Sequence, residues 1–146
     1  MTTTPEPGWF SGAKAAFFCG SRLLCYLRDD APGLRWPGRW DLPGGGREGE
    51  ETAEACLLRE LHEEFGLILP PARLELRLDV SAMDAPGQRA VFFVGRLTPG
   101  DLAAIRFGDE GQRWEAMEVQ AFLSHPQGIP PLQDRVRRVM AAFLPG

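Results

Sequence analysis

Three carboxylates, Glu60, Glu63 and Glu64, follow Arg59 directly and lie downstream of a further acid, Glu51. No Gly or Pro interrupts the stretch from Thr52 to Phe65, which is rich in Ala, Leu, Glu and Arg, good helix formers. On a helix turning roughly 100° per residue, the three acids share one arc. Like charges at such spacings repel by about a few tenths of a kcal/mol per pair. They also fall in the last turns, where the helix dipole disfavours negative charge. A compensating cation is therefore expected. Hard oxygen ligands that leave room for water and a phosphate suit Mg²⁺ or Mn²⁺ better than Zn²⁺. The competing reading is an acidic helix face turned to solvent.

The helix must hold these acids by its other side. Ala55, Leu58, Leu61 and Phe65 form the expected inward stripe, and Gly66 stands where a left-handed cap ends a helix. The full pattern from Gly45 reads Gly-x5-Glu-x7-Arg-Glu-Leu-x-Glu-Glu-x-Gly-Leu, through Glu51, Arg59, Glu60, Leu61, Glu63, Glu64, Gly66 and Leu67. These nine positions resemble the Nudix box.

That resemblance implies an α+β fold, an α/β/α sandwich around a mixed sheet, and a hydrolase that directs water at a phosphorus of a nucleoside diphosphate linked to another group. It implies metal ligation by Glu60, Glu63 and Glu64 with the Gly44 carbonyl, Glu60 as the favoured general base, and Arg59 as the partner that orients Glu51 or a neighbouring acid. Glu110, in the segment Asp109-Glu110-Gly111-Gln112 before Trp114, resembles the further acid that MutT-type members bring from outside the box. Arg28 matches a phosphate-side arginine, with Arg35 and Arg39 as alternatives. Trp36 or Phe18 could stack a base, and Gln133 lies near where MutT-type members place a base-reading amide.

The expected substrate is a nucleoside triphosphate, oxidised ones included, cleaved to monophosphate and pyrophosphate. ADP-ribose or a dinucleoside polyphosphate is the alternative within the enzyme class. A non-catalytic nucleotide-sensing or protein-binding module on the same fold is the alternative outside it, and the intact box argues against that one. An isomerase variant would want a cysteine in the pocket, and nothing in the sequence places Cys19 or Cys25 there.

The remaining chain must position these groups. Its 146 residues fit one domain over 13–146, with 1–12 as a flexible lead-in. A net charge of -4 offers no footprint for nucleic acid polymers or anionic membranes. Three cysteines without C-x-x-C spacing read as reduced thiols, and with no signal peptide or membrane-length apolar run the expected location is cytoplasmic. Monomer and homodimer are both open.

Strands are expected at 13–19 and 22–28 as a hairpin, then at 73–83, 90–94 and 113–117, with a loop at 29–39. Short and long helices are expected at 118–123 and 132–144. Asp101–Phe107 fits a helical turn or an irregular strand equally.

Overall fold

The computed structural model describes residues 6–143. Strands β1 (Gly12–Cys19) and β6 (Arg89–Arg96) carry apolar residues on both faces, the pattern of strands covered from both sides. They run parallel at the sheet centre, with Ala13 opposite Val91 and Ala16 opposite Val94. Around them β2 (Arg22–Leu27), β3 (Trp40–Asp41), β4 (Gly44–Gly46), β5 (Leu74–Ser81) and β7 (Arg113–Glu118) pair antiparallel. The order β3-β2-β1-β6-β5, with β4 on β1 and β7 on β2, makes a mixed sheet.

Helices cover both faces. Ala13, Ala15, Phe17, Val91 and Phe93 meet α1 (Ala53–Phe65) on one side. Ala16, Phe18, Phe92 and Val94 meet α3 (Val119–Ser124) and α4 (Pro130–Phe143) on the other. This is the expected α/β/α layering. In β5 the expected alternation splits: a register shift between Leu74 and Leu76 sends Leu74 to the α1 face, while Leu76, Leu78 and Val80 pack toward α4.

The stripe of α1 differs from expectation. Ala53, Cys56, Leu57, Leu61, Glu64 and Phe65 are buried, whereas Ala55 is exposed and Leu58 only half-buried. The sheet meets the helix through a face rotated toward the acids, so one member of the triad goes inward. Thr52 caps the start by accepting from the Ala55 N–H, and Gly66 ends the helix at φ 69° with its N–H on the His62 carbonyl. A side chain at Gly66 would be strained there.

Asp101–Phe107 resolves into the end of a short helix, α2 (Pro99–Ala103), followed by irregular chain. Thr98 and Asp101 form a reciprocal capping box that starts it. Helix α4 begins at Pro130, earlier than expected, because Pro at the first helical positions gives up no hydrogen bond. Its expected last residue, Leu144, lies outside the described residues. No described helix is long and apolar enough to cross a membrane.

The lead-in is docked from Glu6 onward; residues 1–5 lie outside the described part. Phe10 is 0% exposed in the α1-side core, and the Arg47 guanidinium lies 4.5 Å from its ring centre. Glu6 takes Arg77 Nη2 at 2.6 and 2.8 Å. Phe10→Ala is therefore expected to cost about 3–5 kcal/mol in urea unfolding. A loss below about 0.5 kcal/mol, the size of a typical surface change, would contradict the docking.

Candidate active site

Strand β4 pairs with the start of β1, Gly46 opposite Gly12, Gly45 opposite Ala13 and Gly44 opposite Lys14. Helix α1 lies against this glycine strand with very little clearance. A Cβ on Gly45 would stand 2.6 Å from the Glu60 carboxyl carbon, so only glycine lets that carboxylate rest on the strand. One turn later the Gly44 N–H donates to Glu64 Oε1 at 2.9 Å. Two of the three acids are thus set against the backbone that opens the box.

Arg59 ties the loop to the helix. Its Nε and Nη2 donate to the two oxygens of Glu51 at 2.7 and 3.1 Å, Nη1 to Glu60 Oε1 at 2.9 Å and Nη2 to the Gly46 carbonyl at 2.9 Å. This two-point fork is the strong form of the pair. The hydrogen bond from Arg59 holds the Glu51 carboxyl below its usual range, and Glu51 in return raises the Arg59 pKa. Glu63, exposed on the helix flank, meets Arg59 Nη1 at 3.3 Å.

Beside this group lies a buried acid that the sequence reading passed over. Asp41 is 1% exposed. It receives Lys14 Nζ at 2.9 Å, Arg28 Nη1 at 3.1 Å, the Tyr26 hydroxyl at 3.0 Å and the Leu42 N–H at 2.7 Å. Lys14 Nζ also donates to the carbonyls of Leu42 and Gly44, at 3.2 and 3.3 Å. The available signals were a lone lysine inside the apolar run Ala13–Cys19 and a lone acid between Trp40 and Leu42.

Burial raises the Glu64 pKa to about 8; the Lys14 charge and the Gly44 N–H pull it down, and Asp41 and Glu60 push it up. Burial likewise raises Glu60, against the lowering effect of Arg59. Burial, then the Asp41 charge, raises the Tyr26 hydroxyl well above its ordinary value. The site therefore crowds carboxyl groups where water screens charge poorly, which favours their protonated forms.

These groups open onto a cleft of about 330 Å³. Of the residues expected from the sequence, Gly44, Glu60, Glu64, Glu110, Arg28, Arg35 and Trp36 line it. The Glu110 loop is pinned there: the Gly108 N–H donates to the Glu64 carbonyl at 2.9 Å, and the Gly111 N–H to Asp29 Oδ2 at 3.1 Å. Arg59, Glu63, Arg39 and Gln133 are outside the lining. Gln133 is buried, and its Nε2 donates to the carbonyls of Phe122 and His125 at 2.9 and 3.0 Å; its amide closes the turn before α4. Phe18 packs on Phe143 in the α4-side core. Among the described residues no three His, Cys, Asp or Glu side chains converge at metal-ligand distance, because Arg59 draws Glu60 and Glu63 to itself.

The Glu64 shift has a consequence for stability. The folded protein keeps the Glu64 proton up to about pH 8, whereas the unfolded chain releases it near 4.5, so this contribution is complete below pH 4.5 and lost as pH rises through 8. In chelator, the Tm of the wild type is expected to fall across that range, and Glu64→Gln to flatten the fall. Parallel curves for the two proteins would contradict a burial-driven shift.

A family model described as NUDIX domain matches residues 19–142. The nucleoside triphosphatase NudI of Enterobacter sp. (strain 638) is 49% identical over 47 residues, 32% of this chain and 32% of that protein. The chain thus spans about a third of the length of the curated relatives it matches. A C. elegans Ap4A hydrolase binary complex superposes with a TM-score of 0.70 at 16% identity, covering 90% of this chain and 96% of that one. A MutT protein from Methanosarcina mazei Go1 does so with 0.69 at 17%, covering 96% and 98%. At such identities the two structures speak for the fold. With the box geometry in place and the family model running over most of the chain, the protein belongs to the Nudix hydrolase family.

Proposed function

We propose that this protein hydrolyses a phosphoanhydride bond in a nucleoside diphosphate linked to another group, with a nucleoside triphosphate as substrate and a monophosphate and pyrophosphate as products. The observation that carries the reading is one cleft lined by the half-buried Glu60, the buried Glu64, the cations Lys14 and Arg28 and the glycine strand. A polyphosphate needs positive charge around its oxygens, and attacking water needs a base.

The donor chemistry fits a divalent cation. Glu64 is 8% exposed, and its charged form, disfavoured by burial, is supported by Lys14 and one N–H, so a cation beside it would reverse its pKa shift. Glu60, Glu63, Glu64, Glu110 and the Gly44 carbonyl would hold Mg²⁺ or Mn²⁺, all hard oxygens. Such an ion would screen phosphate charge and make bound water more acidic. Glu60 and Glu63 would have to turn from Arg59, and the Gly44 carbonyl from Lys14.

The chain's own residues do the rest. Glu60, its pKa raised by burial, accepts the proton of the attacking water. Arg59, anchored on Glu51 and the Gly46 carbonyl, sets the angle of that carboxylate. Arg28, oriented by Asp41 and the Arg35 carbonyl, meets a phosphate oxygen.

Purified protein with Mg²⁺ should cleave triphosphates, and Glu60→Gln or Glu64→Gln should lower kcat by roughly 10²–10⁴ without loss of the folded state by circular dichroism. Full turnover in Glu64→Gln would refute its role. In a panel that includes ADP-ribose and dinucleoside polyphosphates, a preference for either of about 100-fold in kcat/KM over every triphosphate would overturn the substrate.

A further inference from the structure

Arg135 is a charged side chain of the cleft that neither the box nor the chemistry above uses. It lies on α4 between Leu132 and Val136, on the face that packs against the sheet, and is 7% exposed. Its guanidinium sits 5.6 Å from the Phe92 ring centre, and Nη2 donates to the Ser81 carbonyl at 2.7 Å. Among the described residues no carboxylate pairs with it, and Nε and Nη1 donate to no protein group. Burial, then the nearby Arg138, push its pKa down to about 10, as befits a buried cation without a partner.

Among the described residues no side-chain nitrogen is both buried and unpartnered, so Nε and Nη1 are open to solvent, where other acceptors would take the place of water. Arg135 lines the cleft, so those acceptors can come from a ligand. Its place within the cleft follows from its bond to Ser81, the residue before Ala82 and Met83 of the lining. Glu64 and Glu60 rest instead on Gly44 and Gly45 of the glycine strand. If the phosphates lie toward Glu60 and Glu64, the base lies toward Arg135. The nearby lining agrees, since Ala82, Met83 and Ala90 offer an apolar wall that suits a flat ring better than a phosphate.

Resting on the nucleotide reading above, we propose that Arg135 reads the base, and that it selects a 6-oxopurine by donating to N7 and O6 together. The second hydrogen of Nη2 with that of Nε or Nη1 makes a fork of parallel donors that matches two acceptors on one edge, the pairing arginine makes with guanine. Adenine sets an amino donor at position 6 against the same fork. An 8-oxopurine carries a hydrogen on N7 and meets it donor to donor, so the undamaged purine is preferred over the oxidised one. Hypoxanthine, which has N7 and O6 but no 2-amino group, binds as guanine does.

The test compares kcat/KM for GTP, ITP, ATP and 8-oxo-GTP in the wild type, Arg135→Met and Arg135→Gln. The wild type should take GTP and ITP about equally and favour both by roughly ten- to a hundredfold over ATP and 8-oxo-GTP. Arg135→Met should bring the GTP/ATP ratio to about one. Arg135→Gln, whose amide pairs with adenine N6 and N7, should move the ratio below one. A ratio does not depend on the fraction of enzyme that is folded, so a destabilised variant still reports. Equal use of ATP and GTP by the wild type, a preference for 8-oxo-GTP, or a ratio unmoved by Arg135→Met would each overturn the assignment.

Calorimetric titration with GMP and AMP, which needs no turnover, separates this from the hydrolase reading. Arg135-dependent preference for GMP in a protein that cleaves no triphosphate would sustain the assignment and sink the reaction. Triphosphate cleavage with no base preference would do the reverse.

Discussion

The burial of one carboxylate at the junction of α1 and β4 sets the geometry of everything around it. Glu64 could have stayed on the solvent side of its helix. It is instead turned against the glycine strand, where the Gly44 N–H meets it at 2.9 Å. The bond admits one rotational setting of the helix, and that setting lays Glu60 over Gly45, where any side chain would collide. It also brings the end of α1 to the Glu110 loop, because the backbone carbonyl of Glu64 accepts from the Gly108 N–H. A desolvated carboxylate with a single N–H partner costs stability. Keeping it there shows where the fold trades stability for a charged cleft.

Asp41 adds to that charge and gathers the cations that offset it, Lys14 and Arg28. With Lys14, Arg28, Tyr26 and the Leu42 N–H around it, this acid is fully hydrogen bonded. A buried ion pair contributes little net stability against an apolar replacement, but the loss of one partner leaves a bare charge behind. Its value here is positional. Strand β1 supplies Lys14, β2 supplies Tyr26 and Arg28 follows it, so one carboxylate locks two strands and the start of the 29–39 loop to β3. The same loop is held again by the Arg28 Nε bond to the Arg35 carbonyl at 2.9 Å. It carries Trp36, a non-glycine residue at φ 50°, to the rim of the cleft.

Local pattern carried much of this. The spacing of the box, the glycine after Phe65, the continuous apolar run of β6 and the alternation in β5 each follow from side-chain period and backbone preference, which act over a few residues. So the order of the longer elements and the acids of the box were legible, whereas the short strands β3 and β4 were not. The inward stripe of α1 was not, because Ala55 and Glu64 exchange places once the sheet chooses the face it meets, and burying a Glu requires a strand N–H that lies 20 positions away in sequence. The part of the lead-in from Glu6 onward is docked for the same reason. The sequence suggests a loose terminus, yet Phe10 is buried in the core, with Arg47, just after β4, and Arg89 of β6 over its ring.

The residues outside the box divide along the same line. Gln133 and Arg135 are two positions apart on one helix, and the resemblance to MutT-type members pointed to the amide as the group facing a ligand. The turn from Phe122 to His125 takes the amide, and the cleft receives the guanidinium instead. By itself, then, the sequence determined the family box, the helix that bears it and the hard-oxygen character of its acids, since these are properties of spacing and residue type. Only the tertiary structure decided which acid is buried, that Asp41 and Lys14 belong to the site, and which side chain of α4 reaches the cleft. Those outcomes depend on contacts between segments far apart in the chain, where packing and desolvation outweigh local preference.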